Sequence, residues 1–416
     1  MSIGEKLRRL GPGLVTGAAD DDPSGIATYS QTGAQFGTGL MWTMVLCYPL
    51  MVAVQLASAR VGRVTGKGLA HSLKKIMPRW LIIMIAILLF VANTINVGAD
   101  LAAMGEASSL VAPINKHIFT AIFALVSLGL QMRIPYHRYS SWLKWLTLVL
   151  FAYVALLFMV KIEWSEVVTG LFIPKISGTD EITTIVAIFG TTISPYLFFW
   201  QAAQEVEELD NDEEREPLLE RKDQAPDALK RIRWDTFAGM AVSNIVALAI
   251  ILGTAATLHN TGKTDIQSAA DAAKALQPVA GNFAFAIFCL GIVGTGLLAV
   301  PVLAGSSAYA ASEIGGWNAS LEDKPRRAKA FYFVIALGVV LSIGIDWSPF
   351  SPMKALFWSA VLNGVVAVPV LIGLMLVVAR RQIMQRFVAP ASLRAFGWMA
   401  TAVMAIAVAA MLATAG

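Results

Sequence analysis

The sequence predicts an all-α polytopic membrane protein, and three observations carry that prediction. Of its 416 residues 56% are hydrophobic and 14% charged, with a mean hydropathy of +0.65, whereas soluble chains are usually about one quarter charged. Apolar stretches near the roughly 20 residues needed to cross hydrocarbon recur along the whole chain. Two of these stretches are interrupted by polar, proline-containing segments, which is the pattern of discontinuous membrane helices.

Taken in order, eleven spans are expected at 11–33, 38–60, 80–102, 117–132, 143–160, 182–204, 236–258, 281–311, 330–345, 353–379 and 393–414. They form one membrane domain over 1–416. The basic N-terminus, MSIGEKLRRL, imitates a signal peptide, but the apolar run after it holds aspartates and many spans follow, so it reads as a retained first helix. With the N-terminus inside, all but six of the 32 lysines and arginines fall on cytoplasmic connections; Lys116, Lys161, Lys175, Lys263, Lys274 and Lys354 are the exceptions. That bias places the N-terminus in the cytoplasm and the C-terminus outside. It also accounts for the basic residues as topology signals, so no nucleic-acid surface is expected.

The first span contains Thr16 to Gln35, TGAADDDPSGIATYSQTGAQ. Asp20, Asp21 and Asp22 in hydrocarbon need a partner or a polar cavity. Proline lacks the backbone donor and glycine weakens a helix, so the span should break within Asp22-Pro23-Ser24-Gly25. A break at that depth pairs unpaired carbonyls and a half-helix N-terminus with carboxylates, which suits a transported cation. The sixth span repeats the device as Gly190-Thr191-Thr192-Ile193-Ser194-Pro195-Tyr196, where Pro195 frees carbonyls and Ser194 or Thr191 offers a hydroxyl. Breaks in the first and sixth spans imply two inverted repeats of five helices, about 11–160 and 182–379, with a further helix at 393–414.

The remaining features are read more plainly. Cys47 and Cys289 sit in apolar runs without a CxxC, as small packing residues. The charged connection from Glu205 to Trp234 reads as a solvated cytoplasmic loop with short amphipathic pieces, or alternatively as a cation-attracting mouth. The alanine-rich DIQSAADAAKALQ suggests a short surface helix. Gly291, Gly294 and Gly296 follow no strand and serve helix packing or a hinge, not phosphate binding. Asn93, Thr94 and Asn96 line an aqueous route or bond between helices, and Asn244 and Asn363 are candidate outer-shell or gate residues. With no HExxH, GKS/T or nucleophile-base triad, an enzyme is not expected, and no cofactor is implied.

Asp22-Pro23-Ser24-Gly25 after Gly11-Pro12-Gly13, and the sixth-span segment, resemble the first and sixth helices of the natural-resistance-associated macrophage protein family of divalent metal transporters, where Asp-Pro-Gly-Asn and Ala-x-x-Met-Pro-His-Asn are usual. The resemblance covers all spans and implies a LeuT-like 5+5 fold. It puts Asp22 on the metal-binding aspartate, Gly25 on the binding asparagine, Thr191 on the carbonyl-donating alanine and Ser194 on the methionine. Tyr196 falls on a histidine linked to proton movement, Asp100 on a proton-pathway aspartate, and Ala103 replaces the third-helix glutamate.

Those departures shape the expected function. Loss of the thioether, with Gly25 opening volume and Asp20 and Asp21 adding carboxylates, leaves an oxygen site for a hard, partly hydrated ion. The resemblance is therefore nearest the magnesium-transporting branch. The expected activity is potential-driven transport of Mg²⁺, and also Mn²⁺, across the inner membrane; the alternative is a proton-coupled Mn²⁺/Fe²⁺ symporter. His71, His117, His137 and His259 all lie at span ends or in connections, so proton coupling looks weakened. The partners are metal ions and the lipid bilayer, and a monomer suffices. A sodium-coupled organic-solute carrier shares the fold logic, but a fixed carboxylate repels an organic acid.

Overall fold

The computed structural model describes residues 16–414 apart from residues 18, 137, 139–144, 213, 323 and 350. Gly11-Pro12-Gly13, the start of the first span, residues 143–144 of the fifth and His137 lie outside the described residues. Among the described residues there are helices and no strands. The main helices are α1 Pro23–Phe36, α2 Trp42–Thr65, α3 Arg79–Ser109, α4 Lys116–Arg133, α5 Phe151–Leu156, α6 Thr179–Thr192, α7 Pro195–Asp210, α8 Ala225–Thr257, α9 Ala284–Gly315, α10 Lys329–Ile343, α11 Pro352–Ala379 and α12 Ala391–Thr414.

Among the described residues eight helical segments are long and apolar enough to cross a membrane, with the broken pair α6 and α7 counted together. The other three expected spans coincide with α1, α4 and α5 but fall short by that measure. α1 is half of a broken helix, and α4 carries Lys116 and Arg133 at its ends. α5 is a short piece preceded by the tighter turns of Leu146–Leu150. The alanine-rich segment forms the short helix Ala269–Lys274, with Ala269, Ala272 and Ala273 buried where a surface helix was expected, and Gln277–Ala280 follows.

The helices are turned inside out relative to those of a soluble protein. α3 exposes Trp80, Ile83, Met84, Ile87, Leu88 and Val91 at helical spacing while burying Asn93, Asn96 and Asp100. An apolar stripe facing outward, with the polar groups inward, is stable only in lipid. Trp80 and Trp347 stand exposed near helix ends, where amphipathic rings suit the interface. The chain is an integral membrane protein.

Close helix contact depends on small residues. A Cβ on Gly190 of α6 would lie 2.0 Å from the Ala360 carbonyl oxygen of α11 and 2.5 Å from the Gly364 nitrogen. Gly190→Val is therefore expected to force α6 and α11 apart, lowering stability by about 1–3 kcal/mol. Thermal unfolding in detergent, followed by loss of the monodisperse peak, reads this out; an unchanged midpoint contradicts the packing.

The charged connection is solvated in its middle, where Glu214, Glu220, Arg221, Lys222 and Asp223 are exposed, but not at its start. Glu205 and Glu207 at the end of α7 are buried, 1% and 7% exposed. Arg231 of α8 reaches back to Glu205 at 2.6 Å, Glu208 at 3.0 Å and Asp235 at 3.6 Å. Glu207 accepts from the Tyr309 hydroxyl, the Ser320 hydroxyl and the Leu321 N–H. The first glutamates, Glu205, Glu207 and Glu208, are thus spent on Arg231, on α9 and on the segment after it.

Candidate metal site at two broken helices

Both breaks follow one design, a polar residue before a proline that opens the second half-helix. In the first span the chain unwinds at Asp21 and Asp22, and Pro23 occupies the first turn of α1. Pro23, Ser24 and Gly25, expected within the break, belong instead to the restarted helix. The reason is that a proline there lacks only a donor that would be unpaired anyway. Asp22 is the N-cap: its Oδ1 accepts from the Gly25 N–H at 2.8 Å and from the Ser24 hydroxyl at 2.6 Å. In the sixth span α6 ends at Thr192 and α7 starts at Pro195.

Ser194 precedes Pro195 but does not cap α7 with its side chain. Its hydroxyl turns back and donates to the carbonyls of Gly190, at 2.6 Å, and Thr191, at 2.8 Å. Pro195 has no N–H to offer the Thr191 carbonyl four residues earlier, and Ser194 supplies the missing donor. Its lone pairs stay free to meet a cation.

The two breaks touch. Tyr196 of α7 places its hydroxyl 3.3 Å from Asp22 Oδ2, and Thr191 Oγ1 lies 3.4 Å from Ser24 Oγ. A Cβ on Gly25 would already stand 3.3 Å from the Tyr29 ring and 3.4 Å from Thr191 Oγ1, so an asparagine there could not be added without displacing a neighbour. From α3, Asn96 donates its Nδ2 to Asp22 Oδ2 at 3.1 Å and accepts the Ser359 hydroxyl of α11 at 2.5 Å. Asp22 is 1% exposed, closed to solvent in this conformation.

The other expected residues divide. Asp20 and Asp21 face α8, where the Ser243 hydroxyl lies 2.6 Å from Asp20 Oδ2 and 3.1 Å from Asp21 Oδ1. Asp100 is fully buried, and neither carboxylate oxygen has a hydrogen-bond partner among the described residues; it lies within electrostatic reach of Asp22. Asn363 is equally buried with both side-chain polar atoms unpaired. Asn93 turns away, donating to the Leu303 carbonyl and to Ser306 and Ser307 of α9. Sequence reasoning missed Ser243 and Ser359; the signal was a lone serine inside an apolar helix, which ordinarily bonds to its own backbone.

Asp22 draws only neutral donors: a backbone N–H, two hydroxyls and an amide. A buried carboxylate without a basic partner, ringed by hydroxyls and amides, has the chemistry that a membrane cation site needs. Among the described residues no three His, Cys, Asp or Glu side chains converge as a metal cage. A cation held at Asp22 would have to complete its shell with neutral oxygens. No histidine among the described residues stands at the site: His117 pairs with Asp346 at 2.6 Å and His259 lies 2.8 Å from the Ala34 carbonyl.

The family profile described as natural resistance-associated macrophage protein-like matches residues 13–414. A "Divalent metal cation transporter MntH" of Klebsiella pneumoniae is 26% identical over 411 residues, covering 96% of this chain and 92% of the relative. One from Pectobacterium carotovorum is 29% identical over 306 residues, covering 70% and 69%. The manganese transporter of Eremococcus coleocola, solved with an aromatic bis-isothiourea substituted compound, superposes with a TM-score of 0.76 at 17% identity, over 99% of this chain and 88% of the other. The inward-facing form of Mhp1 follows at 0.55 and 14%, over 98% and 91%. The fold is accordingly the LeuT-like 5+5 inverted repeat with its first and sixth helices broken. Matched over nearly its whole length, the chain belongs to the natural resistance-associated macrophage protein-like family, a family of transporters and not of enzymes.

Proposed function

We propose that the chain carries divalent metal cations, Mn²⁺ foremost, across the cytoplasmic membrane by alternating access, with its N-terminus in the cytoplasm and without a cofactor. The observation that carries this reading is Asp22, a buried carboxylate with neutral partners where the two broken helices meet. Thr191 and Ser194 complete its surroundings, and Gly25, expected to open volume, instead lets the Tyr29 ring and Thr191 close in. The relatives named for divalent metal cations and the neighbour named for manganese support Mn²⁺ as the first ion to try. Mg²⁺ is the second reading. It is favoured by Ser194, whose hard hydroxyl oxygen offers nothing to prefer a soft metal.

Asp100 decides the coupling. Potential-driven influx follows from the missing membrane histidine and third-helix glutamate, but Asp100 offers a buried carboxylate with both oxygens open, close enough to feel charge at Asp22. It favours the proton-coupled form, in which Asp100 takes the proton. In proteoliposomes with an internal pH dye, Mn²⁺ uptake is expected to acidify the lumen, and Asp100→Asn to abolish the acidification. Mn²⁺ uptake with no change in lumenal pH restores the uncoupled, potential-driven carrier.

A further inference from the structure

The three aspartates of the first span do not form one cluster. Asp22 looks toward α3 and α7, whereas Asp20, the last helical residue before the break, and Asp21 look toward α8. Ser243 stands between them with a single hydroxyl proton, 2.6 Å from one carboxylate oxygen and 3.1 Å from the other. That proton satisfies one contact, and the second is oxygen against oxygen unless positive charge joins it.

Two buried groups in this region have no hydrogen-bond partner among the described residues. Asp20 Oδ1 is buried and without a partner. The Tyr29 hydroxyl, on a side chain 0% exposed, also has none, and it lies within electrostatic reach of Asp20 and Asp21. Tyr29 is held there by its ring against Gly25. The one sulfur nearby, Cys47, is engaged with Thr192 at 3.3 Å. Two carboxylates and two hydroxyls remain, a hard, oxygen-only set whose double negative charge matches a divalent ion.

We infer that Asp20, Asp21, Ser243 and Tyr29 form a second cation station, separate from Asp22, that receives the transported divalent ion on the N-terminal side of the break. This rests on the proposal that the chain moves divalent cations. Two such ions on neighbouring residues repel each other strongly, so the stations fill alternately and the ion passes between them. Occupation of the second station satisfies Asp20 Oδ1 and the Tyr29 oxygen and relieves the contact at Ser243.

The test is Mn²⁺ binding to the purified full-length chain, followed by electron paramagnetic resonance, with folding checked by size exclusion. Asp22→Asn is expected to keep residual binding, weakened about 10–100-fold. Adding Asp20→Asn and Asp21→Asn should remove that remainder; Ser243→Ala should weaken it about tenfold and Ser243→Thr restore it. Should Asp22→Asn bind as tightly as wild type and lose binding only with Asp20 and Asp21, the second station stands while the anchoring role of Asp22 falls. A folded Asp22→Asn protein that binds no Mn²⁺, or residual binding indifferent to Asp20, Asp21 and Ser243, overturns the inference. If the combined variant does not fold, Ser243→Ala in the otherwise native chain decides: a slowed Mn²⁺ transport rate rescued by Ser243→Thr supports the station, and an unchanged rate overturns it.

Discussion

Asp22→Asn removes transport of every divalent cation, by about 100-fold or more, while leaving the fold in place. Asparagine is as good an N-cap as aspartate, so its Oδ1 still accepts from the Gly25 N–H and the Ser24 hydroxyl and α1 still starts at Pro23. What disappears is the formal charge and the Oδ2 acceptor that meets Asn96 and Tyr196. Changes to groups that only orient a metal ligand already cost about 10–100-fold, and Asp22 is the charged ligand itself. Initial uptake rates of Mn²⁺, Mg²⁺ and Cd²⁺ in proteoliposomes, set against thermal stability of the same preparation, separate charge from folding. Transport within about threefold of wild type would remove Asp22 from the site.

Ser194→Met changes selectivity rather than abolishing transport. The hydroxyl bonds to the Gly190 and Thr191 carbonyls are lost, so the Thr191 carbonyl, already deprived of a donor by Pro195, turns free to meet the ion. A thioether enters beside it, soft and bulky in a position that is fully buried. Soft donors suit borderline and soft metals, and the lost volume penalises an ion that keeps its water. Uptake of Mn²⁺ and Cd²⁺ is expected to persist while the Mg²⁺ concentration needed for half-competition rises about tenfold. An unchanged Mg²⁺ competition curve places Ser194 outside the ion's path.

How much of this was legible in the sequence depends on whether a residue's role is local. Asp22 and Ser194 announce themselves because each precedes a proline in an apolar run, and the break they cause is a property of the backbone at that spot. Eight of the expected spans fall on long apolar helices among the described residues for the same reason, since hydropathy and length are read along the chain. Asn93 and Asn96 show the limit. They lie three apart on one face of α3, yet Asn96 meets Asp22 and Ser359 while Asn93 meets α9. Only the packing of neighbouring helices distinguishes them.

The same limit explains why the first glutamates of the charged connection are not solvated. A run of glutamates looks solvated until Arg231, 26 residues beyond Glu205, folds back onto it. Ser243 is silent in sequence because its partners, Asp20 and Asp21, lie more than 220 residues away. Asp100 was visible as a charge in a span, but its lack of any partner is a property of the assembled core.

The most direct test of divalent metal transport is Mn²⁺ uptake by wild-type protein in vesicles held inside-negative, with Mg²⁺ and a panel of amino acids as competitors. Saturable Mn²⁺ accumulation well above protein-free vesicles, reduced by excess Mg²⁺ and untouched by the amino acids, is the expected result. No Mn²⁺ accumulation above the protein-free control, with uptake of an organic solute in its place, would contradict it.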